Sequence, residues 1–396
     1  MKLSSRSKEY MIPEYSLTGD LLSFLTCNLQ YRYQNKGILP PSMPIQLWFG
    51  EFIHGVMEEA YLKWKNENIP FDWNWLKHIR PVEEMIDLRL RARGLYPPLK
   101  QFCPYSEKNE EISKCDDSNH PHKLLASARA ESAINIWGPY LFPLISSAEV
   151  LLKGIRKMPK YDKNSSRSNY YGINGIIDVL SSLKIDENLK KSNNTILKYL
   201  SQDDDFCKEV KSIESDEYEI IIDYKGMKRP AINTAMWDHH SWQILTYAWL
   251  RSKQEESKPI AAGIIFYLNE LVPSTEDIIS IKKDIIAGHT DVQVEKNDYD
   301  KIVNWNSDED YPHLSEKFKM DRSVRIVNIE KKSISNALTA FDEVVSTIEE
   351  SVIEEINGSS IKNAWKAEAN KRTCDACDFK SFCSNKKINS NKMKVP

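Results

Sequence analysis

The sequence predicts an α/β chain in which a mixed central β-sheet is flanked by helices, and two observations carry that expectation. Three apolar runs of strand length, 143–156, 172–182 and 217–225, follow one another with polar connections between them, which implies hairpins. A run with helical spacing, 238–253, then precedes another strand-like segment, AAGIIFYLNEL. The order helix, three strands, helix, strand therefore groups both element types around one sheet.

Taken from the N-terminus, residues 16–33, SLTGDLLSFLTCNLQYRY, read as a short amphipathic helix with Leu21, Leu22 and Leu25 on its apolar side and Cys27 near its end. Residues 45–65 place Phe52, Val56, Ala60 and Leu62 at apolar positions of a second helix, with His54 beside them. From 66 to 142 the pattern is aromatic-rich and helical, broken by Pro97, Pro98 and the polar stretch SEKNEEISKCDDSNHPH, and reads as a helical insertion with a loop. Residues 143–270 form the expected core. Within them Trp242, Leu245, Ala248 and Trp249 recur at helical spacing after Asp238, a capping residue type. A long amphipathic helix at 333–356 opens a C-terminal segment, 333–396, that ends in a cysteine cluster. With no internal repeat or low-complexity linker, 1–396 reads as one elaborated domain.

The 396 residues can bury one large core or two modest ones, and the net charge of -3 with 28% charged residues excludes a wholly basic nucleic-acid binder while leaving room for a local basic channel. Nowhere do about 18 apolar residues run together, so no membrane span is expected and the chain is expected to be soluble and cytoplasmic. The absence of a GxxxxGK[ST] run gives no sign of an ATPase motor. Seven cysteines are an odd count, and three of them fall between Cys374 and Cys383, which favours metal or cluster ligation over a disulfide framework.

Individual residues offer chemistry, each with a plainer alternative. Asp178 in GIID and Asp223 in IIDYK sit at the expected ends of neighbouring strands, where two carboxylates could share a hard divalent ion. Lys225 falls on the same strand face as Asp223, beside such an ion; a bare D-x-K also occurs as a strand-end ion pair. His54 could complete a carboxylate site or be a core histidine. Gln243 and Tyr247, four apart, share a helix face and could contact both lysine and phosphate, or form a polar rim. His239 and His240 read as capping or surface residues. Cys374-x2-Cys377-x5-Cys383, with Cys27 as the fourth thiolate, suits a [4Fe-4S] cluster or structural Zn2+. Cys103, Cys115, His120 and His122 are a further, irregularly spaced set of zinc-ligand types, while Cys207 stands alone. Arg89, Arg91 and Arg93, and Lys386 and Lys387 after the cluster, could contact DNA phosphates or be solvated surface.

In order, Cys27, His54, Gly175 to Asp178, Asp223-Tyr224-Lys225, Gln243-x3-Tyr247 and Cys374-x2-Cys377-x5-Cys383 resemble the iron-sulfur branch of the RecB-like PD-(D/E)XK nucleases, which includes the AddB nuclease domain and the small nucleases associated with CRISPR adaptation. The resemblance spans nearly the full chain. It implies a restriction-endonuclease-like core and a nuclease that cuts DNA, as single strands or at ends, with Mg2+ or Mn2+. His54, Asp178 and Asp223 would be the metal ligands, Lys225 the catalytic lysine, and Gln243 and Tyr247 would position lysine and DNA. The iron-sulfur cluster would clamp the termini, and a helicase or integrase-type partner, in repair, CRISPR adaptation or antiviral defence, would fit. The alternative within the same resemblance is an iron-sulfur DNA-binding subunit that no longer cuts. Two positions depart from the pattern: Asn28 follows Cys27 where proline is common, and Gly226 follows Lys225 where threonine is common.

Overall fold

The computed structural model describes residues 12–37, 45–97, 121–163, 166–185, 191–309, 311–375, 377–380 and 383. In chain order the principal elements are β1 (Glu14–Ser16), α1 (Ile45–Glu67), α2 (Arg80–Ala92), α3 (Pro121–Leu141), β2 (Ser147–Lys157), β3 (Tyr170–Lys184), α4 (Thr195–Gln202), α5 (Asp204–Ser212), β4 (Glu217–Lys225), α6 (Ala235–Arg251), β5 (Ile260–Tyr267), α7 (Thr275–Ile286), α8 (Lys296–Asn304), α9 (Glu316–Ser323), β6 (Val324–Asn328) and α10 (Lys331–Ile356). The six strands form one mixed sheet in the order β1-β3-β4-β5-β6, with β2 paired to β3. β3 is antiparallel to β2 and β4, as the predicted hairpins require, and β4 is parallel to β5 across the α6 crossover.

Each sheet face carries its own core. On one side Ile220, Ile222 and Tyr224 of β4 pack with Phe52 and Val56 of α1 and with Trp137 of α3; on the other Ile221 packs with Ile244 and Ala248 of α6 and Phe341 and Val345 of α10. The alternation along β4 sends successive side chains to opposite layers, and the strand reads as near-continuously apolar because both faces are covered. A satellite cluster of Ile278, Ile281, Ile302, Trp305 and Phe318 holds α7, α8 and α9 together.

Several local expectations are corrected. The stretch 16–33 is not one helix: short helical segments at Leu17–Leu22, Ser23–Thr26, Asn28–Tyr31 and Arg32–Lys36 are interrupted at Cys27, whose backbone is extended at φ -167 and ψ 114. β2 begins at Ser147, because Phe142–Leu144 continues α3 as a 3-10 turn. α6 starts before Asp238, with Thr234 as its cap accepting from the Trp237 N–H. β1, β6 and the helices α4, α5 and α7 to α9 were not anticipated. Among the described residues no helix is long and apolar enough to cross a membrane.

Candidate active site

Asp178 lies inside β3, not at its end, and its special position comes from pairing. The β3–β4 ladder reaches Val179↔Ile222 and then opens, and the Asp178 carboxylate takes the place of a main-chain acceptor, receiving the Tyr224 N–H at 2.7 Å. Asp223 and Lys225 follow on the terminal residues of β4. On the other side of β3, Ala148↔Val179 and Val150↔Ile177 bracket Glu149, which faces Asp178 from β2 with its backbone at φ 50. His54, from α1, brings Nδ1 to 3.4 Å from Asp178 Oδ2. His54, Glu149 and Asp178 each present one ligand atom, and these lie within 4.8 Å of one another.

A second chain of contacts runs beside this group. Lys225 Nζ pairs with Asp223 Oδ2 at 2.6 Å and donates to Gln243 Oε1 at 2.7 Å, and Gln243 Nε2 donates to Tyr247 Oη at 2.9 Å. The lysine is thereby held between a strand acid and a helix amide, with Tyr247 continuing the line along α6. Gly175 makes room for this line: a Cβ there would sit 2.5 Å from Tyr247 Cε1. Gly226, where the resembled pattern has threonine, packs below Phe49 of α1, and a Cβ would stand 3.1 Å from its ring.

The electrostatics are those of a crowded, partly desolvated acid cluster. Burial pushes Asp223 up to about 6, with Lys225 opposing and Asp178 adding to the rise. Burial also opposes ionisation of Asp178, but His54, Lys225 and the Tyr224 N–H outweigh it and hold the carboxyl below its ordinary value. Burial disfavours an imidazolium at His54, yet the Asp178 carboxylate raises its pKa to about 9. Partial burial and the negative charges of Asp178 and Glu58 push Glu149 up to about 7. Carboxylates kept this close invite a cation, and two carboxylates with an imidazole are a donor set able to hold a divalent metal ion. Asp223, expected as a ligand, lies beside this group paired to Lys225, and Glu149, not expected, is the third donor within 4.8 Å of His54 and Asp178. Glu149 was missed because a lone acid in SSAEVLLKG matches no spacing; its one signal was a charge inside an apolar run.

The remaining expected residues are placed as follows. Cys27 is buried at the break between two short helices, where Leu29 N–H donates to Lys366 O and Tyr33 packs 5.5 Å from Phe379, so the C-terminal cysteine loop folds onto it. Burial pushes the Cys377 thiol up, and Cys27 and Cys383 are near enough to add to that rise. Cys374 sits just ahead, its Sγ 3.8 Å from Ala369 O. All four thiols are free of disulfides. Arg89, Arg91 and Arg93 each meet an acid, Glu59, Asp87 and Glu51 respectively, at about the same 3 Å. His240 is not a surface cap: it is buried in α6 with Nδ1 3.0 Å from Tyr267 Oη. Cys207 is half-buried beside the Ser201 carbonyl. Lys386, Lys387, Cys103, Cys115 and His120, together with the side chain of His122, lie outside the described residues.

Residues 210–384 match the family model described as the PD-(D/E)XK nuclease superfamily. The match covers Asp223, Lys225, Gln243, Tyr247 and the three C-terminal cysteines, and with the six-stranded mixed sheet it supports that superfamily and a metal-dependent nuclease. No curated protein matches the chain.

Proposed function

We propose that the chain is a Mg2+- or Mn2+-dependent deoxyribonuclease of the RecB-like iron-sulfur branch, acting on single strands or DNA ends in the cytoplasm and working with a helicase or integrase-type protein in repair, CRISPR adaptation or antiviral defence. The observation that carries this reading is the juxtaposition of the His54, Glu149 and Asp178 donors with the Asp223–Lys225–Gln243–Tyr247 chain. His54, Glu149 and Asp178 would hold the divalent ion, with Asp223 joining them when it is bound. The ion supplies Lewis acidity to the phosphate and the attacking water. Lys225 holds its amine at the rim of the cluster, placed to orient that water and to offset charge developing on the phosphate oxygens. Gln243 fixes the lysine amine, and Tyr247 fixes the amide, so neither must reorganise during the reaction. Water adds to phosphorus as the P–O ester bond breaks, leaving a phosphate and a hydroxyl end.

Cys27, Cys374, Cys377 and Cys383 would hold a [4Fe-4S] cluster, joining the first and last described segments around the core; structural Zn2+ is the alternative for the same thiols. The convergence of Cys27 with Cys377 and Cys383 supports a single four-thiol site. The test is cleavage of end-labelled single- and double-stranded DNA by anaerobically purified protein with Mg2+, Mn2+ or EDTA, with metal analysis of the same sample. Divalent-dependent cutting with about four irons per chain fits the proposal. No cutting by folded, iron-loaded protein would favour the non-cutting subunit, and zinc in place of iron would overturn the cluster assignment.

A further inference from the structure

We propose that the outer face of the β2–β3 hairpin is a track for the unpaired strand of the DNA substrate, an inference that rests on the nuclease reading. Cross-strand pairing places Leu151 opposite Ile176, Lys153 opposite Asn174, Ile155 opposite Gly172 and Lys157 opposite Tyr170. Beyond the Leu151–Ile176 row, toward the β4 end, the pairing skips Glu149 and Asp178, whose ligand atoms lie within 4.8 Å of each other in the donor group. At about 3.3 Å per residue, rows on one face recur roughly every 7 Å, so the face leads directly away from the donor group. The other face of the hairpin is filled, with Leu152, Ile173 and Ile177 buried under α6. This one is open: Leu151 is 61%, Ile155 64%, Ile176 47% and Tyr170 38% exposed. Single exposed apolar side chains need no explanation, but four on one sheet face, continuous with a catalytic cluster, do.

Charge selects the occupant. Lys153 lies between the rows of Leu151 and Ile155, and Lys157 closes the stretch opposite Tyr170. Glu14 of β1 also lies on this face, 3.5 Å from Lys153 Nζ and 3.3 Å from Asn174 Nδ2. An unpaired strand offers an apolar base face and a phosphate at every nucleotide, whereas a duplex hides its base faces. Interleaved apolar and cationic positions therefore fit the former, with bases on Leu151, Ile176, Ile155 and Tyr170 and phosphates at Lys153 and Lys157. Arg89 and Arg91 of α2, and Arg93 just after it, do not compete for this role, since each faces an acid of its own layer.

Two double variants test it, Leu151→Asp with Ile155→Asp, and Lys153→Glu with Lys157→Glu, all at exposed positions outside the donor group. Binding of a fluorescent oligothymidylate of about 20 nucleotides and of a blunt duplex of equal length is measured by anisotropy across a salt series, with cleavage rates at saturating substrate. Each variant is expected to weaken single-strand binding by about tenfold or more, leave duplex binding and the saturated cleavage rate within about twofold, and, for the lysine pair, lower the salt slope by 1 to 2. Unchanged single-strand affinity in both variants, or equal losses on single strand and duplex, overturns the track while leaving the nuclease intact. A wild-type protein that neither binds nor cuts DNA removes the nuclease reading and the track with it.

Discussion

Gly175 and Tyr247 explain why the G-x-x-D stretch carries a glycine: the phenol edge occupies the space of a side chain. Gly175→Ala is expected to cost about 1–3 kcal/mol by overpacking and to disturb the line from Tyr247 to Lys225, seen as a lower Tm together with a lower cleavage rate. Glu149→Gln, which keeps shape and removes charge, is expected to weaken divalent binding about 10- to 100-fold, read from the Mg2+ dependence of cleavage. At this scale the sequence was informative where chemistry follows fixed spacing. Asp223-x-Lys225 and Gln243-x3-Tyr247 name residues that do meet in the structure. It was silent on Glu149, which reaches Asp178 only because β2 pairs with β3 in one register and its backbone turns to φ 50 there.

At the scale of elements, strands covered on both faces announced themselves as apolar runs, and α1, α6 and α10 did so by periodicity. β1 and β6 did not, because three and five residues are too short for a pattern to emerge. The Cys27 break was equally hidden, since apolar residues flank it on both sides and only the extended backbone at Cys27 divides the helix. α6 carries a pH-sensitive feature that composition does not show. Burial, reinforced by Lys225 and Arg325, pushes His240 down to about 3. An unfolded histidine takes up a proton near pH 6.5, so the folded state loses stability as pH falls from about 6.5 toward 3. By pH 5 the loss is about 2 kcal/mol. Thermal melts at pH 7 and pH 5 should show a larger drop in Tm for the wild type than for His240→Asn; equal drops would contradict the assignment.

At the scale of the whole molecule, polar networks join the layers. Asp291 receives both Arg229 and Arg325, and Arg229 also donates to the Arg322 and Val324 carbonyls, tying the segment after β4 to α9 and β6. Burial opposes the Asp291 charge, but its two arginines hold the carboxyl well below the usual range. Its contribution is therefore present at neutral pH and is lost as pH falls below about 4. Asp291→Ala leaves two buried arginines without their acid and is expected to cost about 3–5 kcal/mol, measured by denaturant unfolding at pH 7. The site itself spans the chain: Asp223, Lys225, Gln243 and Tyr247 lie within the superfamily match, whereas His54, Glu149 and Asp178 precede it. The order of motifs along the sequence already indicated this span; which side chains meet depended on a register that only the folded sheet supplies. The most direct test is single-turnover cleavage of labelled DNA by wild type and Lys225→Ala in Mg2+. The account predicts divalent-dependent cutting that falls by about 10²–10³-fold or more in the variant while fold and cysteine-bound metal are retained. Full activity in Lys225→Ala would contradict it.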